Sequence, residues 1–495
     1  MAALLILVLL AAGAADPETH FRRGQEALRS GDAGGAVREF KAVLAADPTI
    51  FEAQVNLGLA YHLAGDYTRA VEVLSAARRT NPALGGADLV LGSDALKLGK
   101  VDQAIPSLEA VTSANTGNRQ AHRLLCEAYT ARDDFRRAWN CIQSVYGPEP
   151  ADAEGWYFLG KSSLDLAKAA TLRMRRRFPE SAWTRRLEGD SFAERGDWKH
   201  AAQSYQQSVD AAPWTPEFHA LLGFALLRSA HPQEARRAFQ RELEIAPNSR
   251  NGACGLAETQ GGPKCEITAR EKTDVPDDAI PGQPGPEISY KLVQSYLSYA
   301  DASFDMLLTR YRDSWLAHRL RAEYDELREN PAGAVSEFRA AIAKHPDDAD
   351  LHASLAGVLY EQGSAAKAET EIRSALKISP DSAPFQVLAA RIAARQDRVP
   401  EAIDLLHTAL RHDPASLQAH ALLGEMLWRQ GDAQGAVAEL TKAAPIDAFG
   451  NLHYLLFQAY RKLGDAEKAK AALARSVDLR KNRLQADARK VDTAH

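Results

Sequence analysis

Net charge is nearly missing from this chain. Its 495 residues carry 60 Lys and Arg against 65 Asp and Glu, a formal net charge of -5. That excludes the strongly basic surface with which nucleic-acid-binding proteins engage phosphates. Beyond the first fifteen residues no apolar run approaches the roughly 20 residues that cross a bilayer, so no membrane span is expected. Signatures of catalysis are also lacking. There is no HExxH, GxSxG or GxGxxG, and no GxxxxGK followed by Ser or Thr. No catalytic residue, metal site or cofactor is therefore assigned. Cysteine is scarce: four residues form two local pairs, Cys126 with Cys141 and Cys254 with Cys265. In an exported protein each pair is a possible disulfide closing a short loop, contributing roughly 2–3 kcal/mol. In a reducing compartment the same four residues would be buried thiols acting as small hydrophobes.

What is present begins with residues 1–15, which are almost wholly apolar. Leu4 to Leu10 form a core too short to span a membrane, and Ala12-Gly13-Ala14 has the small-residue pattern of a signal cleavage site. The segment reads as a secretory signal, which places the mature chain outside the cytoplasm, periplasmic or extracellular, and soluble. If it is not a signal, the chain is cytoplasmic. The remainder is 45% hydrophobic and 25% charged overall, an ordinary folded composition, and too long for one compact core.

The decisive feature is self-similarity at about 34 residues. A small residue recurs in a first helix at Gly24, Gly58, Gly92 and Cys126. A turn follows at Gly31-Asp32, Gly65-Asp66, Gly99-Lys100 and Asp133-Asp134. An alanine opens a second helix at Ala36, Ala70, Ala104 and Ala138, with a large apolar residue four positions later at Phe40, Leu74, Leu108 and Ile142. Small residues let two helices approach closely, and the i, i+4 pair shares one helical face. Gly-Asp supplies a tight reversal and a cap, and proline closes the unit.

Leu57, Gly58, Tyr61, Ala70, Ala77 and Pro82 closely resemble the tetratricopeptide repeat pattern, as do Trp156, Leu159 and Gly160. The pattern returns at Ala334, Phe338, Ala341 and Pro346, at Ala402, Leu406, Ala409 and Pro414, and finally at Tyr460, Ala469 and Leu473. The resemblance implies an all-α, right-handed α-solenoid of about twelve to thirteen helix-turn-helix repeats, used to bind protein or peptide partners. Two places break the register. The unit at 153–180 has no turn, since Ser162 to Lys168 runs on without glycine, and one long helix or a tightened corner is expected there. A loop at 260–286, rich in Pro, Gly and Asp, divides an N-terminal solenoid (16–259) from a C-terminal one (287–482), with a polar tail at 483–495. Ala300, Phe304 and Leu307 after the loop read as the second helix of a repeat whose first helix precedes it.

Most of the 14 histidines are scattered, and His219 and His231 are too far apart for an i, i+4 metal pair. His318, His352 and His420 recur at one repeat position, which makes them structural. The family's groove-lining positions fall here on Phe21, Asn56, Arg123, Glu127, Tyr157, Lys161, Trp183, Arg186, Asp190, Glu323, Tyr360, Arg391, Glu425, Trp428 and Tyr454. Aromatic and Arg anchors of this kind dominate binding energies. Of the Lys and Asn that hold a C-terminal carboxylate in chaperone-binding members, only Asn56 matches. The asparagine ladder of glycosyltransferase-associated members is replaced by Leu124, Phe158, Leu187 and Leu221. Arg173, Arg175, Arg176, Arg177, Arg185 and Arg186 form a basic run, either a solvated helix end or a dock for an acidic partner, anionic lipid or glycan. The expected function is a non-catalytic scaffold or adaptor in an envelope or secretion-related assembly. The alternative is an enzyme-associated subunit, or a glycan- or lipid-binding protein, using the Arg run and the 260–286 loop.

Overall fold

A computed structural model describes residues 16–82, 84–265 and 285–492, with side chains as far as 484. Among the described residues all regular structure is helical. The chain runs through α1 (Pro17–Ser30), α2 (Ala33–Ala46), α3 (Phe51–Leu63), α4 (Tyr67–Thr80), α5 (Ala87–Lys97), α6 (Val101–Ala114), α7 (Arg119–Ala131) and α8 (Phe135–Tyr146). It continues through α9 (Ala153–Arg177), α10 (Ala182–Glu194), α11 (Trp198–Ala211), α12 (Phe218–Arg228), α13 (Pro232–Ile245), α14 (Arg250–Glu258), α15 (Pro286–Arg310), α16 (Trp315–Leu327) and α17 (Pro331–Lys344). It ends with α18 (Ala349–Glu361), α19 (Ala365–Ile378), α20 (Ala383–Arg395), α21 (Val399–His412), α22 (Leu417–Gln430), α23 (Ala433–Ala443), α24 (Asn451–Lys462) and α25 (Ala466–Asp492). The architecture is an α-solenoid of helical hairpins. Residues 1–132 and 348–445 make one compact unit, and 133–347 with 446–495 make another.

Local chemistry sets the hairpins. Several second helices start on carboxylate caps: Asp32 accepts from the Gly35 N–H at 2.8 Å, Asp66 from Arg69 at 3.1 Å and Asp432 from Gly435 at 2.8 Å. The turn just before these caps is left-handed, with φ of 78° at Gly31, 73° at Gly65 and 97° at Gly431. Asp133, Ala230, Glu329 and Asp397 hold the same turn at φ of 55–68°, so the reversal persists where glycine is absent. Packing within a hairpin follows a notch. A Cβ on Gly58 would lie 2.5 Å from Leu74, one on Gly223 2.6 Å from Phe239, and one on Gly424 2.6 Å from Leu440. In each case the large side chain, sixteen residues later, fills the space the missing Cβ leaves.

One hairpin of the second unit departs from that spacing. A Cβ on Gly160 of α9 would meet a ring 2.4 Å away, but the ring belongs to Phe304 of α15. Both helices have 25 residues, and among the described residues they share the most extensive helix–helix contact. Trp156, Leu159, Leu166, Ala170 and Met174 are buried on α9, and Tyr296, Ala300, Phe304 and Leu307 on α15. The two helices of one repeat are thus separated in sequence by α10 to α14. This corrects the expectation that α15 completes a repeat begun by the helix before the 260–286 loop. That helix, α14, packs on α12 and α13, with Gly255 against the Phe239 ring. The glycine-free run at 162–168 stays helical, and the chain leaves α9 for α10 to α14 before its partner helix is supplied. Of the 260–286 loop, residues 266–284 lie outside the described residues. At its start, the Cys254–Cys265 disulfide (Cα–Cα 6.0 Å) closes Cys265 over Phe224 and Phe239. Among the described residues no cysteine is free.

Candidate functional site

Ten of the fifteen groove positions read from the sequence sort into three environments. Trp183, Arg186 and Asp190 on α10 come together, yet they do not face an open groove, and this corrects the expectation for them. The first half of α15 covers them. Asp190 accepts from the Tyr290 hydroxyl at 2.7 Å and from Gln294 at 3.4 Å, both on α15, and from the Tyr205 hydroxyl on α11 at 2.8 Å. Trp183 lies 5.2 Å from the Tyr290 ring, and the Arg186 guanidinium sits 4.7 Å over the same ring. Burial raises the Asp190 carboxyl above its ordinary range, against the pull of Arg186 and the two tyrosines. Burial and the facing carboxylate push the Tyr205 and Tyr290 hydroxyls far upward. These phenols remain donors at any physiological pH. The groove of this repeat is occupied by the chain's own helix.

Tyr157, Lys161 and Glu323 form a second, partly exposed group between α9 and α16. Glu323 accepts from the Tyr157 hydroxyl at 2.9 Å, from Lys161 at 3.2 Å and from Arg319 at 3.2 Å. Tyr157 is buried, so its ring is packing rather than an exposed anchor. Phe21 similarly turns inward, meeting Phe40 edge-on at 5.7 Å within the first core cluster. For both residues the expectation of a groove-facing ring is corrected.

The third environment stays open, and it lies in the first unit on α18, α20 and α22. These are successive first helices, and each contacts the next. Arg391 and Arg395 of α20 lie 5.0 Å and 4.8 Å over the Tyr360 ring of α18, and Arg395 also donates to the Tyr360 carbonyl at 2.9 Å. Arg391 remains 48% exposed, with Glu361 at 3.7 Å. Glu425 and Trp428 follow on α22, one repeat beyond Arg391 and two beyond Tyr360, with Glu425 exposed. Elsewhere Arg123 and Glu127 are exposed on α7, and Asn56 is half-buried on α3. Tyr454 lies on α24 beneath Arg480 at 5.3 Å.

The basic run is not a single patch, which corrects that reading. Arg173 donates to the Asp133 carbonyl at 3.1 Å and Arg176 pairs with the Asp133 carboxylate at 3.3 Å, so both serve the turn before α8. Arg185 pairs with Glu180 and Glu188, and Arg186 belongs to the covered group above. Arg177 leans on Phe178, and Arg175 is exposed. The recurrent histidines are hairpin pairs: His20 meets Glu39 at 2.6 Å, His318 meets Glu337 at 2.7 Å, His352 meets Glu371 at 2.7 Å, and His420 meets Glu439. Each pair spans nineteen residues and ties the first helix to the second. The residues missed from sequence are Tyr290 and Gln294, Tyr205 as a hydroxyl donor, and Arg319 and Arg395. Only the last two fall where helical periodicity from a known groove position could have found them.

Among the described residues no cluster of three or more His, Cys, Asp or Glu could hold a metal ion. Among the same residues no helix is long and apolar enough to cross a membrane. No curated protein matches the sequence. Solved structures that share its helical repeats include PilW, a type IV pilus biogenesis factor (21% identity, 38% of this chain and 87% of that one, TM-score 0.33). They also include pilF of Pseudomonas aeruginosa (14%, 54% and 96%, 0.32) and YrrB, a TPR protein with an unusual peptide-binding site (14%, 38% and 97%, 0.32). Tetratricopeptide repeat profiles match residues 21–84, 89–139, 186–250 and 387–451, a second profile matches 327–392 and a third 451–483. The matches pass over 140–185 and 251–326, where the two halves of the divided repeat lie. The chain belongs to the tetratricopeptide repeat family, whose stacked hairpins form protein–protein interaction scaffolds.

Proposed function

We propose that the chain is a non-catalytic adaptor that holds an extended or helical segment of a partner protein against the first helices α18, α20 and α22. The observation that carries this reading is the open stack of Tyr360, Arg391 and Arg395, continued by Glu425 and Trp428. Arg and aromatic side chains held in place by neighbours are the residues that anchor interfaces, and a preformed surface limits the ordering cost of binding. The carboxylate of Glu425, one repeat from Arg391, gives the surface both signs of charge, which favours a segment with its own opposed charges. An exported location, in an envelope or secretion-related assembly, is supported by the signal-like residues 1–15 and by the Cys254–Cys265 disulfide.

The test is co-purification with tagged full-length protein, beside a variant carrying Arg391→Glu and Glu425→Lys. Both positions are exposed, so the variant keeps the fold. A partner retained by the wild type and lost from the variant supports the reading and identifies the process. A partner set that is identical for both proteins rejects this surface.

A further inference from the structure

We propose that the outer face of α25 is a second docking surface, which receives an acidic amphipathic helix of another protein. The argument rests on equivalent positions. In the hairpin of α2, Ala36, Phe40 and Leu44 are spaced four apart, and Leu44 packs into a cluster with Leu57 and Tyr61 of the following helix, α3. In α21, Ala402, Leu406 and Leu410 repeat the pattern, with Leu410 against the cluster that holds Ala419 and Leu423 of α22. The same line in α25 is Ala469, Leu473 and Val477. Here Ala469 is buried, while Leu473 is 36% and Val477 54% exposed, and Leu484 extends the line at 69%. Val477 is thus exposed at the position where Leu44 and Leu410 are packed.

The hairpin of Leu473 departs from the others. The notch position sixteen residues earlier, glycine at Gly58, Gly223 and Gly424, is Phe457 on α24. The hairpin therefore lacks the glycine notch that a large residue fills elsewhere, and Leu473 stays 36% exposed on the outer stripe.

Charge selects the occupant. Lys470, Arg480 and Lys481 are exposed beside the stripe on the same side of α25. Arg480 and Arg483 also shield Tyr454 and Phe449, at 5.3 Å and 4.6 Å from the rings. A second copy is a poor occupant: its α1 exposes Arg22, Arg23 and Arg29 as well as Glu18 and Glu26, and offers no exposed large apolar side chain to meet the stripe. A helix with leucines on one face and Glu or Asp on its flanks satisfies both the stripe and its rim.

The test uses the full chain and two synthetic amphipathic peptides with the same leucine pattern, one flanked by Glu and one by Lys, followed by fluorescence anisotropy. The acidic peptide is expected to bind and the lysine peptide not. Val477→Gln with Leu484→Gln should weaken the acidic peptide by about tenfold or more, since two apolar contacts are lost. Lys470→Glu with Lys481→Glu should weaken it as well, as should added salt. All four positions are exposed, so melting curves should stay unchanged. Equal binding of both peptides, or undiminished binding by both double variants, overturns the proposal. So does a wild-type dimer that the glutamine variant dissolves, or a stripe that binds phosphatidylserine vesicles and neither peptide. Arg391→Glu with Glu425→Lys changes no residue of α25 and should leave the peptide affinity unchanged.

Discussion

Phe304 is the residue on which the divided repeat depends, and its replacement by alanine tests the assignment of α9 and α15 to one hairpin. Its ring fills the notch at Gly160 and is 6% exposed. Removing a buried ring of this kind costs about 3–5 kcal/mol. The reverse perturbation is Gly160→Ala, whose methyl would sit 2.4 Å from the Phe304 ring, well inside van der Waals contact. Overpacking costs about 1–3 kcal/mol, offset by about 1 kcal/mol of improved helix propensity. Combined with Phe304→Leu, the alanine should cost less than alone, a coupling visible in a double-mutant cycle. Gly357 is an internal control, a mid-helix glycine in α18 with nothing within 4 Å of its would-be Cβ. Gly357→Ala should be stabilising by up to about 1 kcal/mol. A chain of this size does not unfold in one step, so hydrogen exchange read by mass spectrometry on individual helices is the suitable assay. In Phe304→Ala, α9 and α15 should lose protection together while α14 keeps it. Joint loss from α14 and α15 with α9 unaffected would refute the pairing, as would a Gly160→Ala variant that behaves like Gly357→Ala.

Three further outcomes follow from named contacts. Asp190→Ala leaves the Tyr205 and Tyr290 hydroxyls without their acceptor and should destabilise the contact of α15 with α10 and α11 by about 2 kcal/mol or more, read as faster exchange in these helices. Because burial raises the folded Asp190 pKa above its ordinary 3.8, this group favours the fold fully below 3.8, and that contribution disappears as pH rises through the raised value. Asp190→Asn should remove this pH dependence, which unfolding at stepped pH would show. At Glu439, partial burial pushes the carboxyl up, but Lys442 and His420 outweigh it and hold the pKa below 4.5. Its contribution is therefore present above pH 4.5 and lost as pH falls through the depressed value, and Glu439→Gln should flatten acid unfolding of α22 and α23. Reducing the Cys254–Cys265 disulfide, which spans eleven residues, should cost about 3 kcal/mol locally and expose α14 to exchange, without loosening α9 or α15. Equal loosening of α9 would mean that α14 supports the divided repeat.

The hairpins were legible in the sequence because the signature falls within 34 residues: a small notch residue, a turn, in several hairpins a carboxylate cap, and a large residue sixteen positions after the notch. Gly58, Gly65, Asp66 and Leu74 can be recognised without knowing any partner outside the hairpin. The divided repeat fails that condition. Trp156, Leu159 and Gly160 form an opening with no close, while Ala300, Phe304 and Leu307 form a close with no opening. Reading the second half against the nearest preceding helix made α14 its partner, because periodicity reports spacing along the chain and carries no information about spacing across an insertion. The two orphan halves were nevertheless complementary, a notch lacking a ring and a ring lacking a notch, and matching them would have joined α9 to α15.

The same insertion explains why the groove positions on α10 misled. Family position fixes which face of a first helix Trp183, Arg186 and Asp190 occupy, but whether that face is open depends on what crosses it. Here the crossing element is the part of α15 that precedes its pairing with Phe304, bearing Tyr290 and Gln294. A helix long enough to complete one repeat with its second half reaches the neighbouring groove with its first. Where helices keep the 13- and 14-residue lengths of α18 to α22, nothing is left over to cross the groove, and Arg391 stays exposed. The repeat of α10 and α11 keeps that same length, so its groove is filled only because the neighbouring α15 runs to 25 residues.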